Sequence, residues 1–573
     1  MSGRKRNAKV VSRISQIDAA DASIPAAATR PAPVNVWLIA ALLIAALAAL
    51  PILAILISAP AGGLATIGEL ARTVLPRYTL NTSLLMLLTG TLAATIGAGC
   101  AWLVSAAEFP GRRVFAWALV LPLAVPAYIA AYLYGDLLDF SGPVQTGLRA
   151  LTGWQAGAYW FPDIRSLGGG AFVLGIVLYP YVYLLARAAF AAQSHIQFKA
   201  ARSLGANPRR AFFAVALPAA RPAIAGGLAL VLMETLADFG VADYFAIPTF
   251  STGIFRTWLA MGDKQAALKL AAMMLVFVAV LVSIEASTRK GRADSRDGFA
   301  AGRAEPLVQL SSSGRLLATL ACALPVLLGF VIPAAHLGWM ASSETALAAA
   351  GELWTYAKGS LWLGVATSAT CLISALLLVF AKARTGSRIA SGAIRLATLG
   401  YAMPGALLAV GLLAPLGAFD ITLTRFARDS LGYGGGLLLT GTSVILVYAL
   451  SVRFLTVAYN SVDGGMAKIP PNLDAAARSL GAGPARVLLQ IYAPLLRSSL
   501  LAAAALVFID TLRELPATLI LRPFNLETLA TRTYRLASDE RLIEASIPAL
   551  ILLVAGLLPV LLLNRLSRPK VSA

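Results

Sequence analysis

The sequence predicts an all-α polytopic membrane protein: twelve transmembrane helices arranged as two parallel six-helix repeats. Three observations predict it. Hydrophobic residues make up 58% of the 573 and charged residues only 13%, with a mean hydropathy of +0.77, whereas soluble domains carry about 25% charged residues. Apolar runs of bilayer-crossing length, about 20 residues at helical rise, recur throughout and are continuous, which excludes the period-two pattern of a membrane β-barrel. Finally, a polar stretch, "AARSLGANPRRAFFAVALP" (Ala200–Pro218), returns as "AARSLGAGPARVLLQIYAP" (Ala476–Pro494), with Gly205 and Gly481 276 residues apart.

Residues 1–34 are basic and then rich in Ala, Ser and Pro. With no cleavage pattern after a short apolar core, they read as a disordered cytoplasmic tail and not a removed signal peptide. Residues 35–290 form the first six-helix domain, with spans expected near 36–58, 82–106, 114–134, 169–191, 222–246 and 265–286. Residues 291–314 are polar and charged and read as a cytoplasmic linker. Residues 315–567 form the second domain, with spans near 316–340, 358–380, 394–415, 435–457, 498–520 and 543–564, and residues 568–573 are a cytoplasmic tail.

Arg4, Lys5, Arg6, Lys9 and Arg13 precede the first span and place the N-terminus in the cytoplasm. Counting spans alternately then puts Arg112, Arg113, Arg209, Arg210, Lys382, Arg384, Arg388, Arg486, Arg565, Arg568 and Lys570 inside, the C-terminus with them. The arginines of the segment after Leu521 fall outside, against the rule, softened by Glu527, Asp539 and Glu540. The net charge of +20 thus reflects orientation in a lipid bilayer and no nucleic-acid partner. Cys100, Cys322 and Cys371 lie within apolar runs as small hydrophobes, without disulfide or metal spacing.

The duplication extends past the opening stretch. At the same offset Glu234-Thr235-Leu236 falls on Asp510-Thr511-Leu512, Asp238 on Glu514, Arg256-Thr257 on Arg532-Thr533 and Asp263 on Asp539. Six spans per half is an even number, so the repeats are parallel and form a pseudo-dimer with a natural central pathway. Within the repeated stretch, "AARSL" favours a helix, Gly205 or Gly481 suits a left-handed helix end, and Asn207-Pro208 or Gly483-Pro484 starts a second helix that ends at Pro218 or Pro494 before a span. An amphipathic interfacial hairpin or a DNA-reading helix-turn-helix shares this local pattern. Its repetition at matched cytoplasmic positions favours docking of a two-fold partner.

Glu234 and Asp238, and equally Asp510 and Glu514, are four residues apart and are expected on one helical face. Glu234 is about 12 residues into its span, about 18 Å deep at 1.5 Å per residue. A central charge is disfavoured there by about 2.5–3.5 kcal/mol unless it faces protein or a wet cavity. Four acids related by the pseudo-two-fold make an oxygen-lined path suited to a hard cation, with no stable metal site. The alternative is structural: pairing with Arg513, or capping helices broken at Gly240 or Pro516. His195 and His336 read as surface or interfacial residues. Trp154, Tyr159, Trp160 and Phe161, in an external segment, read as an interfacial belt or a partner contact.

The repeated stretch resembles the "EAA" cytoplasmic loop of ABC-importer membrane subunits. The resemblance rests on Ala200, Ala201, Gly205, Val215, Leu217 and Pro218, and on Ala476, Ala477, Gly481, Ile491, Ala493 and Pro494; Arg202 and Arg478 follow the paired alanines. Lys199 and Ala475 stand where that family has its acid, with Asp474 one position early. "METLADFGVADYF" (Met233–Phe245) and "DTLRELPATLILRPFNLETLATRTYRLASDE" (Asp510–Glu540) resemble the ferric-iron permeases of that family; thiamine, sulfate and polyamine permeases share the fold. The resemblance implies a type I ABC importer permease-like pseudo-dimer in the bacterial inner membrane, moving ferric iron from periplasm to cytoplasm by alternating access. It implies two ATPase copies docked on the two loops, which act as coupling helices, and a periplasmic substrate-binding protein outside. The chain has no G-x-x-x-x-G-K-S/T phosphate loop, so it is expected to be no enzyme, to bind no cofactor and to leave ATP to its partners. An ion-coupled secondary transporter would share the parallel repeats. A membrane-embedded prenyl or lipid transferase would need clustered acids such as D-D-x-x-D, which are absent.

Overall fold

The computed structural model describes residues 36–60, 63–155, 157–192, 203–205, 207–293, 308–470 and 483–566, together with Leu473, Ala477, Ser479 and Gly481. Its helices are α1 (Val36–Ser58), α2 (Leu75–Ala106), α3 (Ala127–Leu138), α4 (Leu167–Ala192), α5 (Phe212–Ala237) and α6 (Lys264–Ala293). In the second half they are α7 (Ser312–Ala341), α8 (Glu344–Thr385), α9 (Gly405–Leu431), α10 (Val444–Met466), α11 (Arg497–Arg513) and α12 (Leu542–Leu566). Among the described residues ten helices are long and apolar enough to cross a membrane, and two bent pairs bring the number to twelve. Apart from one isolated bridge, Ala107 to Val308, the described secondary structure is helical.

The spans expected at 114–134 and 394–415 are corrected. Each begins with a separate short helix, Arg112–Ala118 or Arg388–Ala397, and a tight turn before the crossing helix starts at Ala127 or Gly405. Pro126 and Pro404 explain the break. A residue before proline is pushed out of the helical region, and Val125 (ψ 118°) and Met403 (ψ 124°) are extended. In the first half the two pieces meet at 90°.

The two halves are interlaced. α1 packs on α8, α9 and the Arg388–Ala397 helix, while α7 packs on α2, α3, α4 and α12. Proline chemistry ties each exchange down. Pro51 cannot donate to the carbonyl of Leu47, and the hydroxyl of Tyr448, on α10, donates to it instead at 2.5 Å. In α7 a wide π-turn sends the N–H of Ile332 to Leu327, so the next carbonyl, Leu328, faces Pro333. Tyr134, on α3, donates to that carbonyl at 2.5 Å. Glycines admit the close approach: a Cβ at Gly411 would sit 2.7 Å from the Pro51 carbonyl, and one at Gly329 2.6 Å from that of Ile176.

Within each half small residues set the packing. α4 is clasped between α2 and α5, where a Cβ at Gly97 or Gly227 would lie 2.8 or 2.7 Å from Val182 atoms. Cys100, Cys322 and Cys371 are buried free thiols, as expected of small hydrophobes.

The repeat is corrected in one respect. Thr249 and Thr252 form a reciprocal cap on the helix Phe250–Phe255, and Thr528 and Thr531 form the same cap on Leu529–Ser538. The N–H of Phe250 bonds Thr82 on α2 and that of Leu529 bonds Ser360 on α8. These equivalences place Thr249 on Thr528 and Arg256 on Arg535. The second half therefore carries a three-residue insertion before this point, and the pairings of Arg256-Thr257 with Arg532-Thr533 and of Asp263 with Asp539 do not hold.

Candidate functional site

α5 and α11 end at Ala237 and Arg513, where Asp238 (ψ 131°) and Glu514 (ψ 124°) turn the chain into extended backbone. It restarts as short helices, Gly240–Tyr244 and Pro516–Leu521. The expected i, i+4 faces are thus corrected: only Glu234 and Asp510 lie on the spans, and Asp238 and Glu514 occupy the breaks. Their carboxylates satisfy the free N–H groups that open the short helices. Asp238 Oδ2 accepts from Ala242 N at 3.1 Å. Glu514 accepts from Ala517 N (3.0 Å), Thr518 N (2.9 Å) and the Thr518 hydroxyl (2.8 Å). The capping alternative read from sequence describes these two acids.

All four acids line one cavity between the halves, with Tyr128, Tyr181, Tyr401, Arg453 and Arg513. Glu234 accepts a hydrogen bond from Tyr401 at 3.1 Å. Asp510 makes no hydrogen bond among the described residues and is part-exposed to the cavity. Arg513 does not pair with a carboxylate. Its Nη1 and Nη2 donate to the carbonyls of Leu123 and Ala124, at 2.9 and 2.5 Å, in the space left by Gly556, where a Cβ would overlap Nη2. Arg453 Nη1 sits 3.5 Å from Glu514 Oε1, and a Cβ at Gly405 would come within 2.5 Å of that oxygen. Four carboxylates outnumber the two arginines, of which Arg453 Nη1 and Arg513 Nε are buried without a hydrogen-bond partner among the described residues, and Glu234 and Asp510 are the least committed oxygens. Arg453 was missed in sequence, although a lone cation inside "VYALSVRFLTV" is the kind of intramembrane charge that marks a pathway.

The repeated loops lie at the other end of the same helices, about 33 Å from Glu234 to Phe212 at 1.5 Å per residue. Gly205 (φ 87°) and Gly481 (φ 81°) are left-handed as expected. Asn207 caps the second helix, its Oδ1 accepting from Arg210 N at 2.7 Å, and Pro208 and Pro484 open it. The expected helix ends at Pro218 and Pro494 are corrected. π-turns at Phe212–Ala216 and Leu488–Tyr492 absorb the missing proline N–H. The first copy runs on unbroken through Pro218 into α5, and the second turns by 71° past Pro494, at Leu496, into α11. Ala477 is buried. Ala200, Ala201, Arg202, Ala476 and Arg478 lie outside the described residues, as do Lys199, His195, Asp474, Ala475, residues 1–34 and 568–573 and most of the linker.

His336, expected at a surface or interface, is half-buried and bonds Asp136 of the other half at 2.7 Å. In the segment expected to be external, Trp154 and Trp160 are exposed, while Tyr159 is fixed by Arg149 and Gln145. Among the described residues no group of three or more His, Cys, Asp or Glu side chains is arranged to hold a metal ion.

Fold and cavity define an all-α polytopic membrane protein with two interlaced halves around a charged central cavity. Comparison with known proteins makes the class specific. No family model matches the chain. Over 522 residues, 90% of its length and 95% of the relative's, it is 25% identical to the Fe(3+)-transport system permease protein FbpB 2 of Haemophilus influenzae. It is 26% identical over 488 residues, 80% of its length and 82% of the relative's, to the probable ABC transporter permease protein y4fN of Sinorhizobium fredii. The molybdenum transport system permease protein ModB of Haemophilus influenzae matches 195 residues at 27% identity, 32% of this chain but 80% of the relative. A relative of that size corresponds to a single half. The resemblance is to ABC-transporter permeases, over both halves in two of these relatives, and with the many apolar spans it supports a multi-pass inner-membrane protein.

Proposed function

We propose that the chain is the permease subunit of an ABC importer that carries ferric iron from periplasm to cytoplasm. The carrying observation is the cavity at the paired helix breaks, where Glu234 and Asp510 present oxygens to a common space between the halves. The full-length similarity to a permease named for Fe(3+) transport supports the same reading. Ferric iron is a small, highly charged cation and seeks oxygen ligands. Two carboxylates without a tight ligand set attract it and let it leave, as passage requires.

Energy comes from outside the chain. Two ATPase copies dock on the loops Ala200–Pro218 and Ala476–Pro494, and a periplasmic binding protein delivers the ion. Closure of the ATPases pushes both loops together, and the continuous helix from Pro208 through α5 carries that motion to the break at Asp238. Alternating access follows from rocking of the interlaced halves about the cavity. Both termini are cytoplasmic, and the chain binds no cofactor and no nucleic acid.

A second reading, an oxyanion such as molybdate or sulfate, draws on Arg453 and Arg513 and on relatives named for molybdenum and sulfate transport. Four carboxylates line the cavity against two guanidiniums, which favours the cation. Uptake of radiolabelled ferric citrate, molybdate and sulfate by a strain with and without the chain decides. Chain-dependent ferric uptake supports the proposal, and chain-dependent oxyanion uptake without it replaces it.

A further inference from the structure

One face of α3 carries Tyr128, Tyr132 and Asp136 at four-residue spacing, a line along the helix leading away from the cavity. Tyr128 lines the cavity itself. Tyr132 stands one turn on, its ring 5.8 Å from that of Tyr128 and 4.6 Å from that of Tyr244. Tyr244 closes the short helix that follows the Asp238 break. Gly135 leaves it room, since a Cβ there would lie 2.8 Å from the Tyr244 ring. Over Tyr244 sits the Arg165 guanidinium, 5.1 Å from the ring centre and paired with Asp139 at 3.0 Å.

Tyr128 and Tyr132 are 6% and 2% exposed, yet neither hydroxyl has a hydrogen-bond partner among the described residues. Buried hydroxyls are normally bonded, because an orphaned one destabilises the fold. The fold does not require them. Aligning Pro126 with Pro404 puts Ala406 and Val410 at the equivalent positions of α9, and both are buried. Tyr134, on another face of the same helix, has its hydroxyl bonded, to Leu328.

We infer that Tyr128 and Tyr132 are oxygen-bearing rungs of the route between the outer mouth, closed by Tyr244 and Arg165, and the carboxylate cavity. The route follows the first half's side of the pseudo-two-fold axis. A hard cation shedding hydration water meets a phenol oxygen lone pair at each rung before it reaches Glu234 and Asp510. The inference rests on the ferric reading and adds to it an entry path and its asymmetry.

The test uses cells carrying Tyr128→Phe, Tyr132→Phe or the double variant in the full chain at its own locus, with Tyr134→Phe for comparison. Ferric citrate uptake is measured per molecule in the membrane, and Tm on the purified chain. Phenylalanine keeps the ring and removes only the oxygen. Tyr132→Phe is expected to slow uptake about tenfold, equivalent to about 1.4 kcal/mol, with Tm unchanged or raised. Tyr134→Phe is expected to lower Tm and keep uptake per molecule. Wild-type uptake in the double variant overturns the inference, as does a loss of uptake matched by a fall in Tm. A wild-type strain that takes up molybdate and no ferric iron overturns the ferric reading, and the inference with it.

Discussion

The hydroxyl of Tyr134 donates to the carbonyl of Leu328 across the boundary between the halves, so one half supplies the donor that a proline in the other removed. Tyr448 serves Leu47 in the same way. Proline thus weakens an exchanged helix internally and creates an acceptor that only the partner half satisfies. Tyr448→Phe and Tyr134→Phe should each destabilise the chain by about 1 kcal/mol, the scale of interhelical hydrogen bonds in membranes. The bonds are far apart, so the effects should add. Unfolding of purified chain in detergent checks this; unchanged stability in both would show that the bonds are incidental.

Glu514 and Asp510 should separate by phenotype. Glu514 accepts three hydrogen bonds at the start of Pro516–Leu521 and faces Arg453. Charge-assisted bonds of this kind contribute about 1.5–3 kcal/mol, so Glu514→Gln should lower Tm and reduce protein in the membrane. Asp510→Asn loses no hydrogen bond and should leave Tm close to wild type while uptake falls.

Two glycines hold the arginines in place. Gly556→Ala puts a methyl where Arg513 Nη2 lies, and Gly405→Ala puts one 2.5 Å from Glu514 Oε1. Displacing one member of a buried charged arrangement costs about 3–5 kcal/mol. Both variants should fail to accumulate as folded protein, measured by limited proteolysis of membranes. Gly417→Ala, with open space around its Cβ position, is the comparison expected to behave as wild type.

The loop glycines carry a different expectation. Gly205 and Gly481 have positive φ, and a Cβ at either would meet open space, so alanine costs only backbone strain, about 1 kcal/mol. Gly205→Ala and Gly481→Ala should leave Tm nearly unchanged and weaken co-purification of the ATPase subunit. Undiminished co-purification in the double variant would remove the loops from the docking surface.

What was legible in the sequence was what local chemistry decides. Apolar length located most spans, and glycine and Asn-Pro chemistry placed the left-handed turn and the Asn207 cap. Matched positions brought Glu234, Asp238, Asp510 and Glu514 to one cavity. The breaks at Asp238 and Glu514 entered the sequence reading only as the alternative of helices broken at Gly240 or Pro516, because apolar composition runs on through them. The insertion was hidden because Arg532-Thr533 imitates Arg256-Thr257, whereas the true equivalence lies in the Thr249 and Thr528 caps. The exchange of α1 and α7 depends on contacts between distant segments, which no local pattern encodes. Asp420, buried on α9 and accepting from Leu438, Leu439 and Thr440, was readable as an intramembrane acid but serves to tie down a loop.

The central claim is that Glu234 and Asp510 contact the transported ion. The direct measurement is ferric citrate uptake alongside ATP hydrolysis stimulated by the binding protein, in the assembled transporter carrying Glu234→Gln and Asp510→Asn together. The account predicts uptake lost and stimulated hydrolysis kept within about twofold, because a change of about 0.4 kcal/mol or less is expected at sites remote from the loops. Ferric uptake at the wild-type rate in the double variant would contradict it.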